Sequence, residues 1–532
     1  MALCTGHREN HPTTDAWEHH RAVRALALHL WHPGNPTYAI DAPSIRYSPY
    51  SVGLALVARA TGVDPWTVLS GAAVANTLLL LAGIALLLRR FQRSRWGPAL
   101  LVVMVIGYGG VPGYAGSLAL ADLPWHQPNP SAFAFGLSLW ILQAFEGFLR
   151  RPGWRRGWPL PIALAGVALS HGMTALVCGA GLLALVLARP RSQWRRGGLA
   201  LLGLAALAVG LSALWPWYDF LAVAFGPADP VWFNRSILVR MLSRWVLPSL
   251  LGSLVALPLR RDPLVRVALI AGGLCYGAGL LALPLHSAAL ARLPLPGAFF
   301  FHLPIAAFVH RTGLLVLRSW PGRLHRLTGA PGEPAAAAAL ETLLAAVGVL
   351  LLLSQLGLAL RAPYLARPWV APLLGRAPKA LHLRQRLAAL LEPVKEGEVV
   401  LADPVSAWPV PSLGGRIVSA LHPEYGVADE ARRRADVEAF FSPDPTVDRR
   451  AILRRWQVRW ILLCPANLPP AVLAALRDPA ARVRETDAGF LLDAHRWHPP
   501  PPRGRLTPIR PRVTQEPLGR RSQVVRHGTA NP

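Results

Sequence analysis

The chain has 532 residues, of which 53% are hydrophobic, and it carries 55 Lys and Arg residues against 28 Asp and Glu. It is too long and too apolar for one ordinary soluble domain, so we interpret it as a polytopic membrane protein of mainly α fold. The formal net charge of +27 does not indicate a nucleic-acid partner, because the arginines lie between apolar segments and not along one amphipathic face.

The cysteines and short motifs exclude several function classes. The four cysteines are scattered along the chain, so no disulfide or zinc framework is predicted. The sequence also has no Gly-rich phosphate loop, no His-Glu-x-x-His and no nucleophile elbow. Soluble nucleotide chemistry and protease chemistry therefore lack support.

The first feature along the chain is a polar segment, residues 10–50, in which acidic, basic and aromatic side chains are concentrated. From Asp15 to Trp31 apolar residues recur at four-residue steps, and this spacing predicts a helix. Asp15 and His19 would then share one face, where a carboxylate and an imidazole could jointly hold a proton or a divalent ion. The apolar residues at that spacing are Ala22, Leu26 and Leu30.

Asp15 also has a simpler interpretation. It directly follows two threonines, and it could be only a helix N-cap or a first-turn acid that the helix dipole favours. Two residues, Asp15 and His19, are a weak pattern for a metal site. The spacing alone leaves both interpretations open.

Apolar segments separated by Arg-rich turns fill most of the remaining chain. Residues 51–60 are too few to cross a membrane and predict an interfacial helix. We expect about ten spans after it, with the Arg-rich turns on the cytoplasmic side. The predicted spans are 67–88, 100–116, 131–149, a pair within 158–188, 199–215, 241–259, 265–285, 297–317 and 335–360.

The pair within 158–188 is predicted from a length conflict. This apolar segment is longer than one span but too short for two, which need about 20 residues each. Both of its flanks are Arg-rich, so we predict a hairpin of two short helices with Ser170, His171 and Gly172 at the outer tip. His171 either caps a helix or packs against a neighbour, or it faces a membrane-embedded cavity, where ionisable residues usually serve a function.

Two arginines depart from the positive-inside distribution. Arg240 and Arg244 are predicted at the outer end of their span, where they could bind a lipid phosphate through charge-assisted hydrogen bonds. Snorkelling of the long side chains to the membrane surface is the alternative. His302 is likewise predicted near the outer end of the span that contains it.

The C-terminal part has the composition of a soluble domain. One helix, 381–391, and strands at 398–402, 416–420, 460–464 and 490–493 predict a small α/β domain. Asp403-Pro404 and Gly414-Gly415 are typical of turns and not of a site. The domains expected are an extracytoplasmic loop with interfacial helices (1–66), a transmembrane domain (67–362), the soluble domain (363–497) and a disordered Pro- and Arg-rich tail (498–532).

An even number of spans places the polar segment and the C-terminal domain on the same, outer side. The polar segment has the acidic and basic residues of a catalytic loop, yet only residues 1–9, which are mostly polar, precede it. We therefore expect the natural protein to start upstream of Met1 with one more span. About eleven spans would leave the predicted sides unchanged.

This order of features resembles the GT-C superfamily of integral-membrane glycosyltransferases. The resemblance rests on an acid in a long first outer loop, the Tyr-x-Pro of Arg46-Tyr47-Ser48-Pro49-Tyr50, a multi-span body and a soluble C-terminal domain. It covers most of residues 10–495 and is closest to bacterial enzymes similar to protein mannosyltransferases and lipid A aminoarabinose transferases. It implies that Asp15 is the catalytic or acceptor-activating residue. Those enzymes often carry paired acids, whereas here Asp15 is followed by Glu18.

The function implied is a hexosyl- or pentosyltransferase of the cell (inner) membrane. It would move a sugar from a polyprenyl-phosphate donor to an extracytoplasmic lipid, glycan or protein. Any need for Mg²⁺ or Mn²⁺ is implied by the resemblance, with Asp15 and His19 as the ligands on hand. The candidate catalytic residues are Asp15, Glu18 and His19. The candidate substrate-binding residues are Arg24, Tyr47, Asp122, His126, His171, Arg240, Arg244 and His302.

Two other functions fit a multi-span chain. A transporter or lipid flippase would also carry intramembrane charge and broken helices. The chain shows no internal repeat, and its polar residues concentrate in the outer loops, which disfavours transport. A structural membrane protein with a periplasmic interaction domain would leave the loop acids replaceable.

Overall fold

The structure is a computed structural model that describes residues 15–108, 127–225, 235–318, 333–361, 383–420, 424, 427 and 429–498. It is mainly helical and contains one small sheet. The described residues form two compact units: unit one takes 26–31 and 45–361, and unit two takes 15–25, 32–44 and 383–498. The polar N-terminal segment therefore contributes residues to both units.

Unit one is built from helices. Within the described residues, six helices are long and apolar enough to cross a membrane, and they match the predicted spans 67–88, 131–149, 199–215, 265–285, 297–317 and 335–360. The helices are α2 (Pro49–Thr61), α3 (Pro65–Arg90), α4 (Gly97–Tyr108), α5 (Pro130–Arg150), α6 (Pro159–Ser170), α7 (Gly172–Leu187), α8 (Trp194–Ala213), α9 (Arg235–Met241), α10 (Leu247–Leu254), α11 (Pro263–Leu285), α12 (Pro294–Arg318) and α13 (Glu333–Arg361), with one-turn helices at Trp154–Gly157 and Ala288–Ala291 and a short helix at Phe220–Phe225.

The first long span shows how local sequence sets helix ends. The Asp64 side chain caps α3 by accepting a hydrogen bond from the Trp66 N–H, and Pro65 occupies the first turn, where its missing N–H is harmless. The helix ends at Arg89 and Arg90, whose charges suit the carboxyl end of a helix.

The hairpin predicted within 158–188 is confirmed. Helices α6 and α7 contact each other and are separated only by His171. Gly157, before α6, lies against the Phe148 ring, and Arg189, after α7, pairs with Glu146 at 2.9 Å. Both open ends of the hairpin therefore lie at the same end of α5.

The predicted span 241–259 is not one regular helix, which corrects the sequence interpretation. Helix α9 passes into a π-helical turn, Leu242–Val246, and then into α10 and a 3₁₀ turn, Leu257–Leu259. Pro248 has no N–H to donate to the Arg244 carbonyl, so regular α-helical hydrogen bonding cannot continue through this segment.

One end of unit one is rich in arginine. The Glu146 carboxylate accepts from Arg150 at 2.6 Å and from Arg189 at 2.9 Å, which ties the ends of α5 and α7 together. Arg93 pairs with Asp262 at 2.6 Å, linking the turn after α3 to the start of α11. The same end of the bundle therefore gathers the predicted cytoplasmic turns.

The opposite end is polar and aromatic. The Tyr50 hydroxyl donates to the Pro128 carbonyl at 2.7 Å, and the Asn76 side-chain amide donates to the Tyr50 oxygen at 3.0 Å. The Trp215 indole N–H donates to the Tyr47 carbonyl at 2.8 Å. Segments from three of the predicted outer loops are thus joined by hydrogen bonds at one end of the helices.

Unit two contains a five-stranded sheet with strand order β2-β1-β3-β5-β4. Strands β1 and β2 and strands β1 and β3 pair in parallel, whereas β5 pairs antiparallel with β3 and with β4. The strands are β1 (Val399–Leu401), β2 (Arg416–Ile417), β3 (Trp460–Leu463), β4 (Arg482–Thr486) and β5 (Gly489–Asp493), and the helices are α1 (Ala16–Leu28, shared with unit one), α14 (Leu383–Leu391), α15 (Glu430–Phe440), α16 (Arg449–Arg455) and α17 (Pro470–Leu476), with a one-turn helix at Pro404–Ala407 and a 3₁₀ turn at Val410–Leu413.

Apolar side chains cover both faces of this sheet. One core includes Phe440 and Trp497, and the other includes Tyr38 and Leu390. The four predicted strands are present, and β4 is the strand that the sequence did not predict. It is a partly exposed edge strand in which Arg482, Arg484 and Glu485 are charged, so it lacks the apolar signal of the others.

Candidate functional site

Helix α1 carries the candidate catalytic residues. It begins after Asp15 and ends at Leu28, three residues before the predicted end at Trp31. The His19 N–H donates to the Asp15 carbonyl at 3.0 Å, so the two residues lie one helical turn apart as predicted. Both side chains are half-buried, whereas Glu18 is only 2% exposed. Asp15 and His19 therefore remain accessible enough to meet a substrate, and Glu18 points into the protein interior.

Among the described residues, no group of three or more His, Cys, Asp and Glu side chains could hold a metal ion. Asp15 and His19 are two ligands without a described third. The described part of the chain alone thus does not complete a divalent-ion site, which normally takes more oxygen or nitrogen ligands.

A buried ion pair fixes α1 within unit two. Arg21, which is 1% exposed, donates to Glu424 at 2.8 Å, and both side chains are buried. The Thr37 hydroxyl donates to the same carboxylate oxygen, and the Asn35 amide donates to the other at 3.1 Å. One carboxylate therefore joins the helix, the following loop and the C-terminal part of the chain.

Sequence reasoning missed Glu424, and only a weak signal pointed to its partner. Arg21 lies at a four-residue spacing between Trp17 and Ala25, which are both buried. A guanidinium in the middle of a buried stripe needs a charged or hydrogen-bonding partner. The spacing gives no indication of where in the chain that partner lies.

The loop after α1 packs along the sheet. The Asn35 side-chain oxygen accepts from the N–H groups of Thr37 and Tyr38 at 2.9 and 3.0 Å, which holds a tight turn. The Ile417 N–H donates to the Thr37 carbonyl at 2.9 Å, next to strand β2. Burial, helped by the Glu430 carboxylate, raises the pKa of the Tyr38 phenol, which therefore stays protonated.

A shallow cleft of about 310 Å³ opens beside this loop. Asn35, Asp41 and Arg416 are among the residues that line it. Arg24, a candidate substrate-binding residue, pairs with Glu396 at 2.6 Å, and Arg416 lies 3.5 Å from the same carboxylate. The Arg24 charge is therefore already partnered within unit two.

The structure supports a capping role for His171. The imidazole Nδ1 accepts a hydrogen bond from the Thr174 N–H at 3.2 Å and lies 2.8 Å from the Thr174 hydroxyl. Nearby, the Tyr218 hydroxyl donates to the Leu169 carbonyl at 2.8 Å, which holds the tip of the hairpin. Tyr47 is buried, and its carbonyl is the acceptor for Trp215.

Arg240 and Arg244 are both exposed, and neither forms an ion pair with another described residue. The π-helical turn begins between them. Leu242, which also lies between them, packs near Gly279 of α11. Pro294, at the start of α12, lies against the same glycine. The two guanidinium groups thus project from an irregular helix near the end of the bundle where α12 starts.

His302 is 1% exposed and lies inside the helical bundle. Its Nε2 is 3.1 Å from the Ser249 hydroxyl, and its ring meets the Tyr108 ring edge-on at a centroid distance of 4.7 Å. Gly107 faces the imidazole so closely that a side chain there would collide with it. Two further candidates, Asp122 and His126, lie outside the described residues.

The fold is similar to that of two solved membrane proteins. ArnT from Cupriavidus metallidurans in the apo state has 14% identity and a TM-score of 0.47, with 94% of this chain and 97% of that chain covered. ArnT bound to undecaprenyl phosphate has 16% identity and a TM-score of 0.47, with 93% and 96% covered. The apo oligosaccharyltransferase of Archaeoglobus fulgidus has 13% identity and a TM-score of 0.49, with 85% and 66% covered.

At TM-scores of 0.47 to 0.49 the likeness decides nothing about the activity of this chain. No protein-family profile and no curated protein matches the sequence.

Proposed function

We propose that the protein is a membrane glycosyltransferase that moves a sugar from a polyprenyl-phosphate donor to an extracytoplasmic acceptor. The observation that carries the proposal is the placement of Asp15 and His19 one turn apart at the start of α1, half-buried and in a segment tied down by Glu424. A carboxylate held in this way has the position and accessibility that a general base requires. A lipid-linked donor explains why such a site is joined to apolar helices.

The proposed step is a displacement at the anomeric carbon. The acceptor oxygen forms a bond to that carbon, the bond from the carbon to the phosphate oxygen breaks, and polyprenyl phosphate leaves. Asp15 takes or orients the proton of the acceptor hydroxyl. The exposed guanidinium groups of Arg240 and Arg244 are proposed to neutralise the leaving phosphate.

Glu18 and His19 are proposed to assist Asp15. The carboxylate of Glu18 is buried 4.0 Å from Arg21, so its proposed role is to orient the helix and not to touch substrate. His19 is placed to hold the acceptor proton jointly with Asp15. Among the described residues, Asp15 and His19 are the side chains on hand to bind Mg²⁺ or Mn²⁺.

The proposed location is the cell (inner) membrane, crossed about ten times, with the segment 15–60 and the C-terminal domain outside. The separation of an Arg-rich end from a polar, aromatic end in unit one supports it. Under this proposal the Arg-rich end is cytoplasmic.

A lipid flippase is the second candidate. The irregular segment from α9 to α10 favours it, because broken helices bearing charge are typical of transport pathways. A flippase would move the polyprenyl-phosphate lipid without breaking the bond to its sugar.

Transfer by the Asp15→Asn variant tests the proposal. Membranes that contain the full chain are given a radiolabelled polyprenyl-phosphate sugar, and the label that appears in water-soluble or protein-bound products is measured. Loss of the base should slow transfer by about 10²- to 10⁴-fold. Asn caps a helix about as well as Asp, so a merely structural Asp15 would tolerate this change.

Asp64→Asn is the matched control, because the Asp64 side chain accepts a capping hydrogen bond from the Trp66 backbone N–H at the start of α3. It should leave transfer and expression unchanged. Wild-type transfer by the Asp15→Asn protein would remove Asp15 from the chemistry. Label that crosses the membrane but stays on the lipid in the wild-type protein would favour the flippase.

A further inference from the structure

Three tryptophans form a continuous stack in unit one. The rings of Trp31 and Trp217 are nearly parallel, with 10° between their planes and 5.6 Å between their centroids. Trp217 in turn meets Trp215 at 4.7 Å and 43°. We call these three residues the tryptophan platform. It brings together two segments that are far apart in sequence, and both belong to predicted outer loops.

The platform is held rigidly. The Trp217 indole N–H donates to the Leu30 carbonyl at 2.9 Å, and the Trp215 indole N–H donates to the Tyr47 carbonyl at 2.8 Å. Tryptophans that anchor a protein at a membrane surface typically present an indole N–H to water or lipid headgroups. Here the indole N–H groups of Trp215 and Trp217 donate to carbonyl groups of the protein. These two residues can therefore offer a ligand only the faces and edges of their rings.

One face of Trp31 is open. Its side chain is 69% exposed although one face stacks on Trp217, so the opposite face is the exposed one. Leu214, next to Trp215 at the end of a long apolar helix, is 78% exposed, whereas His29, near Trp31, is a polar exposed residue. The platform therefore extends from the apolar end of α8 to a polar segment of the chain, and Trp31 lies at the polar segment.

We propose that Trp31, supported by Trp217 and Trp215, binds the pyranose ring of a sugar. A pyranose presents a flat face of C–H groups that packs against an indole, while its hydroxyl groups remain in water or reach nearby polar groups. An open, rigid aromatic face next to polar chain suits such a ligand, because little conformational freedom is lost on binding. The sugar is taken from the proposed function, which this inference deepens.

The test is ligand-observed saturation-transfer NMR on the full chain in lipid nanodiscs. The probes are the methyl pyranosides of glucose, galactose and mannose, and no transfer reaction is needed. Saturation should reach the C–H protons on one face of a bound sugar. Trp31→Ala should weaken binding about tenfold, and Trp31→Phe, which keeps a smaller ring, should weaken it less.

Trp154→Ala is the matched control, because Trp154 is 76% exposed at the Arg-rich end. It should bind the sugars as the wild type does. Sugar binding is measured without any transfer, so failure of the platform and failure of the proposed chemistry are distinguishable. No saturation in the wild type, or equal saturation in Trp31→Ala, overturns the proposal. The Trp31→Ala variant could instead bind the sugars as the wild type does but lose heat stability in nanodiscs and not in detergent. That result would make Trp31 a membrane anchor and would also overturn the proposal.

Discussion

Arg21 and Glu424 are 403 residues apart in sequence, yet their side chains meet at 2.8 Å in the interior of unit two. Asn35 and Thr37 complete the hydrogen bonding of the Glu424 carboxylate. The Glu424 carboxylate is thus both paired and hydrogen-bonded, which is the condition under which a buried charge is tolerated. This pair therefore helps to hold α1, which begins directly after Asp15, on the C-terminal part of unit two.

Glu424→Ala should destabilise unit two by about 3–5 kcal/mol, because the Arg21 guanidinium would remain buried without its partner. Limited proteolysis of the purified protein at a series of temperatures monitors its thermal unfolding and measures the change in stability. The control is Glu396→Ala, whose partner Arg24 is half-exposed. Loss of that outer pair should change stability by about 1 kcal/mol or less. Equal effects of the two substitutions would contradict the assignment.

The stability of the protein should depend on pH through the ionisation of Asp403. This residue caps the short helix that starts at Pro404, and its burial raises the pKa of its carboxyl group above the ordinary value. The folded state therefore binds the proton more tightly than the unfolded state, so the wild-type protein loses stability as the pH rises through the folded pKa. Asp403→Asn keeps the capping oxygen and removes this loss.

The stability of Asp403→Asn relative to wild type should be highest at about pH 7. The advantage should shrink as the pH falls toward about 4, near the pKa of an unfolded Asp. Melting temperatures of the two proteins over that range measure it. A constant difference across the range would show that ionisation of Asp403 does not matter.

Topology is testable with two single cysteines. In a Cys4→Ser background, Asp429→Cys should react with a membrane-impermeant thiol reagent in intact cells, whereas Arg95→Cys should react only after permeabilisation. The other cysteines give little background, because Cys178, Cys275 and Cys464 are buried. Burial also raises the pKa of the Cys464 thiol to about 11, which keeps it unreactive. Labelling at position 95 but not at 429 would invert the proposed orientation.

Arg240→Ala and Arg244→Ala should each weaken binding of a polyprenyl-phosphate lipid by about tenfold or more, since each removes a proposed charge-assisted contact to phosphate. Retention of the radiolabelled lipid by the purified protein measures the effect. Arg195→Ala, an exposed arginine at the Arg-rich end, is the control. Unchanged lipid retention with altered membrane insertion would indicate snorkelling instead.

Local patterns predicted the elements that depend on local chemistry. The long apolar segments gave six membrane-length helices within the described residues, and the Arg-rich flanks of 158–188 gave the hairpin with its break at His171. The order Asp403-Pro404 is typical of a turn, and in the structure Asp403 caps the one-turn helix that starts at Pro404. In each case the residues that determine the structure are neighbours in sequence.

The remaining features depend on distant contacts or on weak patterns. Nothing near Arg21 identifies Glu424, and nothing near Trp31 identifies Trp217 as its stacking partner. The segment 241–259 had enough apolar residues for a span, but hydropathy does not register the hydrogen bond that Pro248 removes. Of the site, the one-turn spacing of Asp15 and His19 was predictable, whereas the ion pair that holds their helix was not.

Unit two is formed from segments that are far apart in sequence, so its folding is delayed during biosynthesis. Residues 15–44 leave the ribosome first, but the strands and the Glu424 carboxylate that complete their core come about 20 to 80 s later at ordinary translation rates. During that interval Arg21 and the buried face of α1 have no final partner, and they depend on water, membrane surface or chaperones. A message truncated before residue 424 would therefore produce a chain whose beginning, and not only its end, is misfolded.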